Sequence, residues 1–310
     1  MPLWHGFDEV PEGFGPSVVT IGVFDGVHRG HARVVGAAAE RARAVGAQTV
    51  VVTFHPHPQS VIRPDTALPL LSLPEHRAPL AAAAGADAVL VLPFTAEMSK
   101  QAPEDFVADL VRWLRPTAFV VGDDFRFGHK AAGDVQLLAE LGQRYGYTAE
   151  IIPAQGDVEA RFSSSRTRAA LLAGDVAVAA EVLGRPFAVS GVVVEGAHRG
   201  RELGFPTANL MSPQELVVPA DGIYAGWLER AGGSRLPAAI SVGTNPQFHG
   251  AERQVEAYCL DRDDLELYGE RVRVEFVARV RGQQVFDSVD ALVEQMKADV
   301  DAIRELLGST

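Results

Sequence analysis

The chain has 310 residues, of which 47% are hydrophobic and 22% charged, and a formal net charge of −12. This length is more than one hydrophobic core usually serves, so two domains are expected. No run of Lys and Arg indicates a nucleic-acid partner, and a single cysteine, Cys259, excludes an internal disulfide. The apolar stretch 80–94 is broken by Asp87 and Pro93. We therefore expect no membrane span, no signal peptide and a soluble cytoplasmic protein.

The first half of the chain alternates between short β-branched runs and segments with helical spacing. The predicted strands are Val18–Val23, Thr49–Phe54, Ala88–Leu92, Ala118–Val121 and Ala149–Ile152. The predicted helices are Ala32–Val45, Pro74–Ala84, Pro103–Leu114, Val135–Tyr145, Ser165–Ala173 and Val176–Leu183. Ser72 and Glu75 have the spacing of a capping box before the second of these helices. The alternation predicts an α/β domain with a parallel sheet covered on both faces.

The pattern changes at Gly184, after which strand-like runs follow each other closely. These runs are Ala188–Val194, Ile223–Leu228, Ala238–Val242, Val255–Leu260 and Val272–Val280. A last amphipathic segment, 289–307, has its apolar residues on one helical face. We predict a small antiparallel β-barrel closed by a C-terminal helix, and a domain boundary between residues 184 and 185.

Two histidines, His28 and His31, lie where the first predicted strand gives way to a helix, with Gly30 between them. In an open α/β sheet this is a ligand-binding edge, and a helix N-terminus attracts phosphate. The two imidazoles can then donate hydrogen bonds to phosphate oxygens. A metal pair and ordinary polar loop residues are the alternatives, although no further Cys or His lies at a zinc-like spacing.

The segment "GVFDGVHRGH" (22–31) resembles the H-x-G-H signature of the nucleotidyltransferase superfamily. More narrowly, the chain resembles the prokaryotic bifunctional riboflavin kinase/FAD synthetase family. Seven further blocks agree in the family's order: "TFHPHP" (53–58), "VVGDDFRFG" (120–128), "FSSSRTR" (162–168), "GAHRGRELGFPTANL" (196–210), "DGIYAGW" (221–227), "SVGTNP" (241–246) and "VEAYCLDRDDLELYG" (255–269). Two positions depart from the family: Ser165 replaces a common threonine, and His55 stands where an acidic residue is frequent.

The resemblance implies that residues 1–184 form a Rossmann-like FMN adenylyltransferase domain, which joins FMN to the AMP part of ATP and releases pyrophosphate. It implies that His28 and His31 are catalytic and bind the ATP phosphates. The further residues expected to bind ATP or its phosphates are Arg161, Ser164, Ser165, Arg166, Arg168 and Asp124. His57 and Phe54 are expected to contact FMN. From spacing alone, solvation at the surface is the favoured explanation for Arg166 and Arg168.

The resemblance also implies that residues 185–310 form a riboflavin kinase. Gly196 and Gly200 bracket a loop that can wrap a phosphate of ATP. Thr207 and Asn209 are two apart in an extended stretch, so their side-chain oxygens share one face, as a common cation requires. In the family these two residues bind Mg²⁺ and a glutamate matching Glu256 is the catalytic base.

The sequence therefore predicts a bifunctional enzyme that converts riboflavin to FMN and then to FAD, with ATP as co-substrate and Mg²⁺ as cofactor. Two alternatives remain at this point. One is a nucleotidyltransferase for another phosphate acceptor, such as a pyridine nucleotide or phosphopantetheine. The other is a flavin- or nucleotide-binding sensor without turnover. The sequence carries no indication of the oligomeric state.

Overall fold

The computed structural model describes residues 1–66, 68–153, 162–196, 203–244 and 253–308. Contacts divide the chain into two compact units, Met1–Ser164 and Ser165–Thr310. Within the described ranges, no helix combines the length and the apolar composition needed to cross a membrane.

The first unit is built on a parallel sheet, as predicted. Its strands are β1 (Leu3–His5), β2 (Ser17–Ile21), β3 (Gln48–His55), β4 (Ala88–Pro93), β5 (Pro116–Gly122) and β6 (Thr148–Ile152). They are ordered β1-β4-β3-β2-β5-β6, and every pair among them is parallel. The sequence analysis missed β1, because three residues are too short for a periodic signal.

Helices cover both faces of this sheet. They are α1 (Arg29–Val45), α2 (Pro58–Ile62), α3 (Pro74–Ala83), α4 (Pro103–Leu114) and α5 (Val135–Tyr145). One apolar cluster joins the sheet to α4 and α5 through residues such as Leu110 and Leu138. Clusters on the other face include Val35 of α1 and Ala81 of α3. The strands β2, β4 and β5 are almost fully buried between these layers, which is typical of parallel sheets, whereas the edge strand β6 is largely exposed.

The predicted capping box at α3 is wrong. The N-cap of α3 is Leu73, which makes no side-chain capping bond. The Ser72 hydroxyl instead accepts a hydrogen bond from the backbone N–H of Gly26 at 2.8 Å and bonds Asp25 at 3.1 Å. A long-range buried contact therefore takes the side chain that local spacing assigned to the helix.

The second unit begins with two short helices, α6 (Ser164–Ala173, starting at the unit boundary) and α7 (Val176–Leu183). The strands that follow are β7 (Phe187–Val194), β8 (Thr207–Met211), β9 (Gly222–Arg230), β10 (Arg235–Thr244), β11 (Arg253–Cys259) and β12 (Arg271–Arg281). Within the described residues they close into an antiparallel barrel in the order β10-β11-β8-β7-β12-β9. The predicted barrel is confirmed, and β8 is an additional strand.

The final helix, α8 (Val289–Gly308), packs against β9, β10 and β12. Val300, Ile303 and Leu307 supply its buried apolar face. Arg281 at the end of β12 makes a two-pronged ion pair with Asp299, with Nε–Oδ1 at 2.9 Å and Nη2–Oδ2 at 2.7 Å. This pair fixes the helix at a particular position along the barrel.

Gly226 in β9 offers a sharp test of the barrel packing. A Cβ atom there would overlap the carbonyl oxygen of Glu275 on β12 and the side chain of Ile240 on β10. Since backbone in a closed barrel cannot move aside cheaply, we expect Gly226→Ala to destabilise this unit by about 2–3 kcal/mol.

The measurement is the midpoint of denaturant unfolding followed by Trp fluorescence. The matched control is Gly232→Ala, because a Cβ at that position meets nothing within 4 Å. An unchanged midpoint for Gly226→Ala would contradict the barrel register given above.

Candidate active sites

A cavity of about 1020 Å³ lies in the first unit at the carboxyl ends of its parallel strands. Residues at or just after the ends of β2, β3, β5 and β6 line it, namely Ile21, Phe54, Gly122 and Ile152. Four residues predicted from the sequence lie in this lining: His28, His31, Phe54 and Asp124. The cavity therefore lies at the carboxyl edge of the parallel sheet, where the strand–loop–helix pattern of the sequence indicated a ligand-binding site.

His28 is the N-cap of α1 and is almost completely buried. Its Nδ1 accepts a hydrogen bond from the backbone N–H of His31 at 3.3 Å. A neutral imidazole that accepts at Nδ1 carries its proton on Nε2, so the cap fixes the tautomer of His28. Helix α1 starts three residues earlier than predicted, because the sequence analysis placed this histidine in the loop and did not recognise it as a cap.

His31 lies directly over His28, with ring centroids 3.6 Å apart and planes inclined by 19°. Burial, the neighbouring His28 and the Arg77 guanidinium together hold the pKa of His31 well below its ordinary value. Its Nδ1 is buried and has no hydrogen-bond partner among the described residues. Such an orphaned polar atom beside a cavity is explained when a bound molecule or water supplies the missing partner.

The opposite wall of the cavity is aromatic. Phe125 and Phe127 stack with centroids 5.3 Å apart, and Phe54 meets Phe94 edge-on at 5.7 Å. The sequence analysis did not single out Phe94. The flat apolar faces suit a planar ring system.

Four cations that the sequence analysis missed also line the cavity: Arg33, Arg63, Arg126 and Lys130. Arg33 lies three residues after Gly30 on α1, so helical periodicity could have found it. Arg63 and Lys130 follow no periodic pattern, and only the tertiary structure brings them to the cavity.

Other predicted residues have different surroundings. His57 is the N-cap of α2, where its Nδ1 accepts from the N–H of Gln59 at 3.1 Å, and it is not among the described lining residues. The Ser164 hydroxyl donates to the backbone oxygen of Asp25 at 2.9 Å. Ser165 is exposed on α6.

The two arginines of α6 differ from each other. Arg166 lies 3.7 Å from Glu181 of α7, whereas Arg168 is buried. Arg161 lies outside the described residues. The assignment of these residues and of His57 to phosphate or FMN binding stays a prediction.

The second unit brings together Thr207, Asn209 and Glu256. Thr207 and Asn209 are the partly exposed residues of β8, between buried Ala208 and Leu210. Glu256 of β11 stands opposite Asn209 in the antiparallel register. The Thr207 hydroxyl donates to Glu256 Oε2 at 3.1 Å. The three polar side chains thus share one outer face of the barrel, as alternation in the sequence indicated.

A cavity of about 330 Å³ adjoins this polar group and is lined by Thr207 and Asn209. Gly196 lines it too, and its backbone lies so close to Asn209 that a Cβ would overlap the amide. Gly200 lies outside the described residues. Arg262, Asp263 and Glu266 also line this cavity, and the sequence analysis did not single them out.

The environment of His31 predicts a pH dependence of stability. Since its pKa is lowered in the folded chain, the protonated form is favoured by unfolding. The contribution of neutral His31 is therefore complete above about pH 6.5, its unfolded pKa, and is lost as the pH falls below that value.

We expect His31→Gln to flatten this acid dependence of the free energy of unfolding between pH 7.5 and about 5. Urea unfolding at a series of pH values measures it. His5→Gln, which changes an exposed histidine of β1, is the matched control. An acid slope in His31→Gln equal to that of the unaltered chain would refute the explanation.

Comparison with known proteins is consistent with both sites. Residues 11–166 match the family model described as FAD synthetase, and residues 183–307 match the one described as riboflavin kinase. The bifunctional riboflavin kinase/FMN adenylyltransferase of Escherichia coli K12 is 36% identical over 99% of this chain and 97% of its own length. The Pseudomonas fluorescens protein of the same description is 37% identical over 99% and 98%.

A solved structure shares the whole fold. A crystal structure of a Streptococcus pneumoniae protein described as a macrolide-efflux protein matches with a TM-score of 0.88 and 32% identity, covering 98% of this chain and 99% of that one. The two family models together span most of the sequence, and the full-length relatives are described as bifunctional. The chain belongs to the family of bifunctional riboflavin kinase/FMN adenylyltransferases.

Proposed function

We propose that the two cavities carry the two reactions of this family at separate sites. The barrel site transfers the γ-phosphate of ATP to riboflavin and yields FMN. The cavity of the first unit joins FMN to the AMP part of ATP, which yields FAD and pyrophosphate. The observation that carries the proposal is that the histidine pair His28/His31 and the group Thr207, Asn209 and Glu256 each lie inside their own compact unit and inside their own family match.

Adenylyl transfer needs alignment and charge stabilisation more than a protein nucleophile. An oxygen of the FMN phosphate attacks the α-phosphorus of ATP, and the bond to the pyrophosphate oxygen breaks. His28, with its proton on Nε2, and neutral His31 donate hydrogen bonds to phosphate oxygens as charge develops there. The stacked rings are held by the helix cap, so little reorganisation is needed when the substrates bind.

The remaining contacts of this site extend the same proposal. Ser164, Ser165, Arg166 and Arg168 at the start of α6, with Arg161, hold the departing pyrophosphate. Asp124 contacts the nucleotide, and Phe54 forms part of the wall for the flavin ring, with His57 near the FMN phosphate. The presence of Phe54 and Asp124 in the cavity lining supports their part of this assignment.

Riboflavin phosphorylation needs a base and a charge-neutralising group. Glu256 accepts the proton of the terminal ribityl hydroxyl, that oxygen attacks the γ-phosphorus of ATP, and ADP leaves as the bond from the γ-phosphorus to the bridging oxygen breaks. The hydrogen bond from Thr207 fixes the orientation of the Glu256 carboxylate. Gly196 and Gly200 are assigned to binding of the ATP phosphates.

Mg²⁺ fits the donors present in the barrel site. The Thr207 hydroxyl and the Asn209 amide offer the oxygen ligands that this ion prefers, and substrate phosphates complete its shell. The described residues contain no group of three or more His, Cys, Asp or Glu that could hold a metal, so a shared protein–substrate site is the arrangement that fits. When bound, the ion offsets charge on the transferred phosphate.

The domain boundary and the location complete the proposal. Neither family match covers residues 167–182, which contain most of α6 and α7. We place the boundary between residues 184 and 185, although α7 packs against β7 and β12.

We place the enzyme in the cytoplasm. The riboflavin kinase match argues against a nucleotidyltransferase for another acceptor, and two sets of catalytic groups are more than a sensor needs.

The histidine pair is tested by His28→Ala combined with His31→Ala. We expect FAD formation from FMN to fall by at least about a hundredfold, because fixed donors at the phosphates are lost. FMN formation from riboflavin should be unchanged, and chromatography of the flavins measures both. His5→Ala is the control, and loss of both activities together would argue against separate sites.

Glu256 is tested by Glu256→Gln, which keeps the shape and can still accept from Thr207. We expect riboflavin phosphorylation to fall by about a hundredfold or more, since the proton acceptor is gone. Added FMN should still be adenylylated at the normal rate. Glu215→Gln, an exposed position, is the control. Normal phosphorylation by Glu256→Gln would remove the residue from the proposed mechanism.

A further inference from the structure

A buried ion pair lies behind the histidine loop of the first unit. Arg77 of α3 and Asp25 of the loop between β2 and α1 each expose only 1% of their side chains. Neither residue is among the described residues that line the cavity. A buried ion pair is a poor way to gain stability, because apolar side chains of similar size stabilise as well or better. Stability alone therefore does not explain why Arg77 and Asp25 are buried at this position.

The Arg77 guanidinium ties together the ends of two neighbouring strands. Its Nη1 donates to the backbone oxygen of Val23, just after β2, at 3.1 Å. The same nitrogen donates to Thr53 Oγ1 at 3.2 Å and to the backbone oxygen of Phe54 at 3.1 Å, both in β3. Phe54 itself lines the cavity. Arg77 therefore fixes the spacing of two strand ends from which the site is built.

The second arm of the guanidinium connects the histidine loop to the segment before α3. Arg77 Nη2 donates to the Ser72 backbone oxygen at 2.9 Å and reaches Asp25 Oδ1 at 3.5 Å. The Asp25 carboxylate accepts from the N–H groups of Leu71 and Ser72 at 2.9–3.1 Å. The Ser72 hydroxyl accepts from the N–H of Gly26 at 2.8 Å. Neither Leu71 nor Ser72 is among the described residues that line the cavity.

This loop has a conformation that its residues do not favour. Phe24 has a φ of 49° and Val27 a φ of 39°, and both are non-glycine residues with positive φ. Gly26 lies between them with a φ of 77°. Such residues persist only where surrounding contacts determine the backbone. Val27 is followed directly by His28, so any relaxation of the loop moves the helix cap and the stacked ring of His31.

We propose that Arg77 and Asp25 are positioning residues for adenylyl transfer, which clamp residues 22–28 so that His28 and His31 keep one arrangement at the cavity. The inference rests on the proposed function of the two histidines. The guanidinium also contributes to lowering the pKa of His31, so its charge acts on the site as well as its hydrogen bonds.

The test compares Arg77→Lys, Arg77→Met and Asp25→Asn in the full-length enzyme. Lysine keeps the charge but cannot present a fork to several oxygens at once. We expect kcat for FAD formation to fall by about tenfold to a hundredfold in Arg77→Lys and further in Arg77→Met. KM for ATP and for FMN should stay within about threefold of the original, because neither Arg77 nor Asp25 is among the described residues that line the cavity. Arg43→Lys, on the exposed end of α1, is the matched control.

Rates are expressed per folded site, from circular dichroism and from riboflavin phosphorylation by the same polypeptide. If these variants fail to fold, Ser72→Ala serves as a milder one, since it removes only the contacts of one hydroxyl, and its kcat should fall by about threefold to tenfold. An unchanged kcat, a rise in KM at constant kcat, or a loss equal to the loss of folded protein each overturns the inference.

The double variant His28→Ala/His31→Ala distinguishes a failure of the positioning inference from a failure of the function proposed for the histidines. If it abolishes FAD formation while the Arg77 and Ser72 variants keep a normal kcat, only the positioning inference fails. If the histidine variant itself still forms FAD at the normal rate, the proposed function of the histidines fails first.

Discussion

Parallel pairing of the strands in the first unit decides where its chemistry takes place. Because β2, β3, β5 and β6 all run in the same direction, the loops after them meet at one edge of the sheet. The histidines, the aromatic wall and the lining cations come from segments far apart in the chain. Only this shared edge brings them around one cavity, and the helix cap at His28 then sets the tautomer of the first imidazole.

In the barrel, antiparallel register and not a shared strand edge brings the polar residues together. In antiparallel pairing, residues directly opposite each other present their side chains on the same face. The register between β8 and β11 places Asn209 opposite Glu256, and Thr207 one pair away reaches the carboxylate with its hydroxyl. A shift of one residue in β11 would turn Glu256 into the barrel, where Ala257 and Cys259 now lie. The pairing register of β8 and β11 thus matters to this site as much as the identity of its residues.

Electrostatics in this acidic chain is local. A net charge of −12 repels polyanionic substrates over long distances, so binding depends on groups placed at the site. The cavity of the first unit is lined by four cationic side chains and two imidazoles. Burial and charged neighbours keep one of these imidazoles, that of His31, neutral. The buried guanidinium of Arg77 acts locally too, since its donors hold two strand ends and a loop at once.

Much of the molecule follows from the sequence. β-Branched runs and helical spacing predicted the parallel sheet, the barrel and most element boundaries, because burial on one or two faces leaves a periodic trace. The H-x-G-H spacing and the spacing of Thr207 and Asn209, together with the family resemblance, predicted two candidate sites, and the roles of their residues stay predictions. The roles of Arg77, Ser72 and Arg63 left no such trace, because each depends on contacts between segments distant in sequence. Local spacing assigned Ser72 to a helix cap, and only the folded chain shows it bound to Asp25 and Gly26. Burying the Asp25 carboxylate and the Gly26 N–H without hydrogen-bond partners would cost more free energy than a local helix cap contributes.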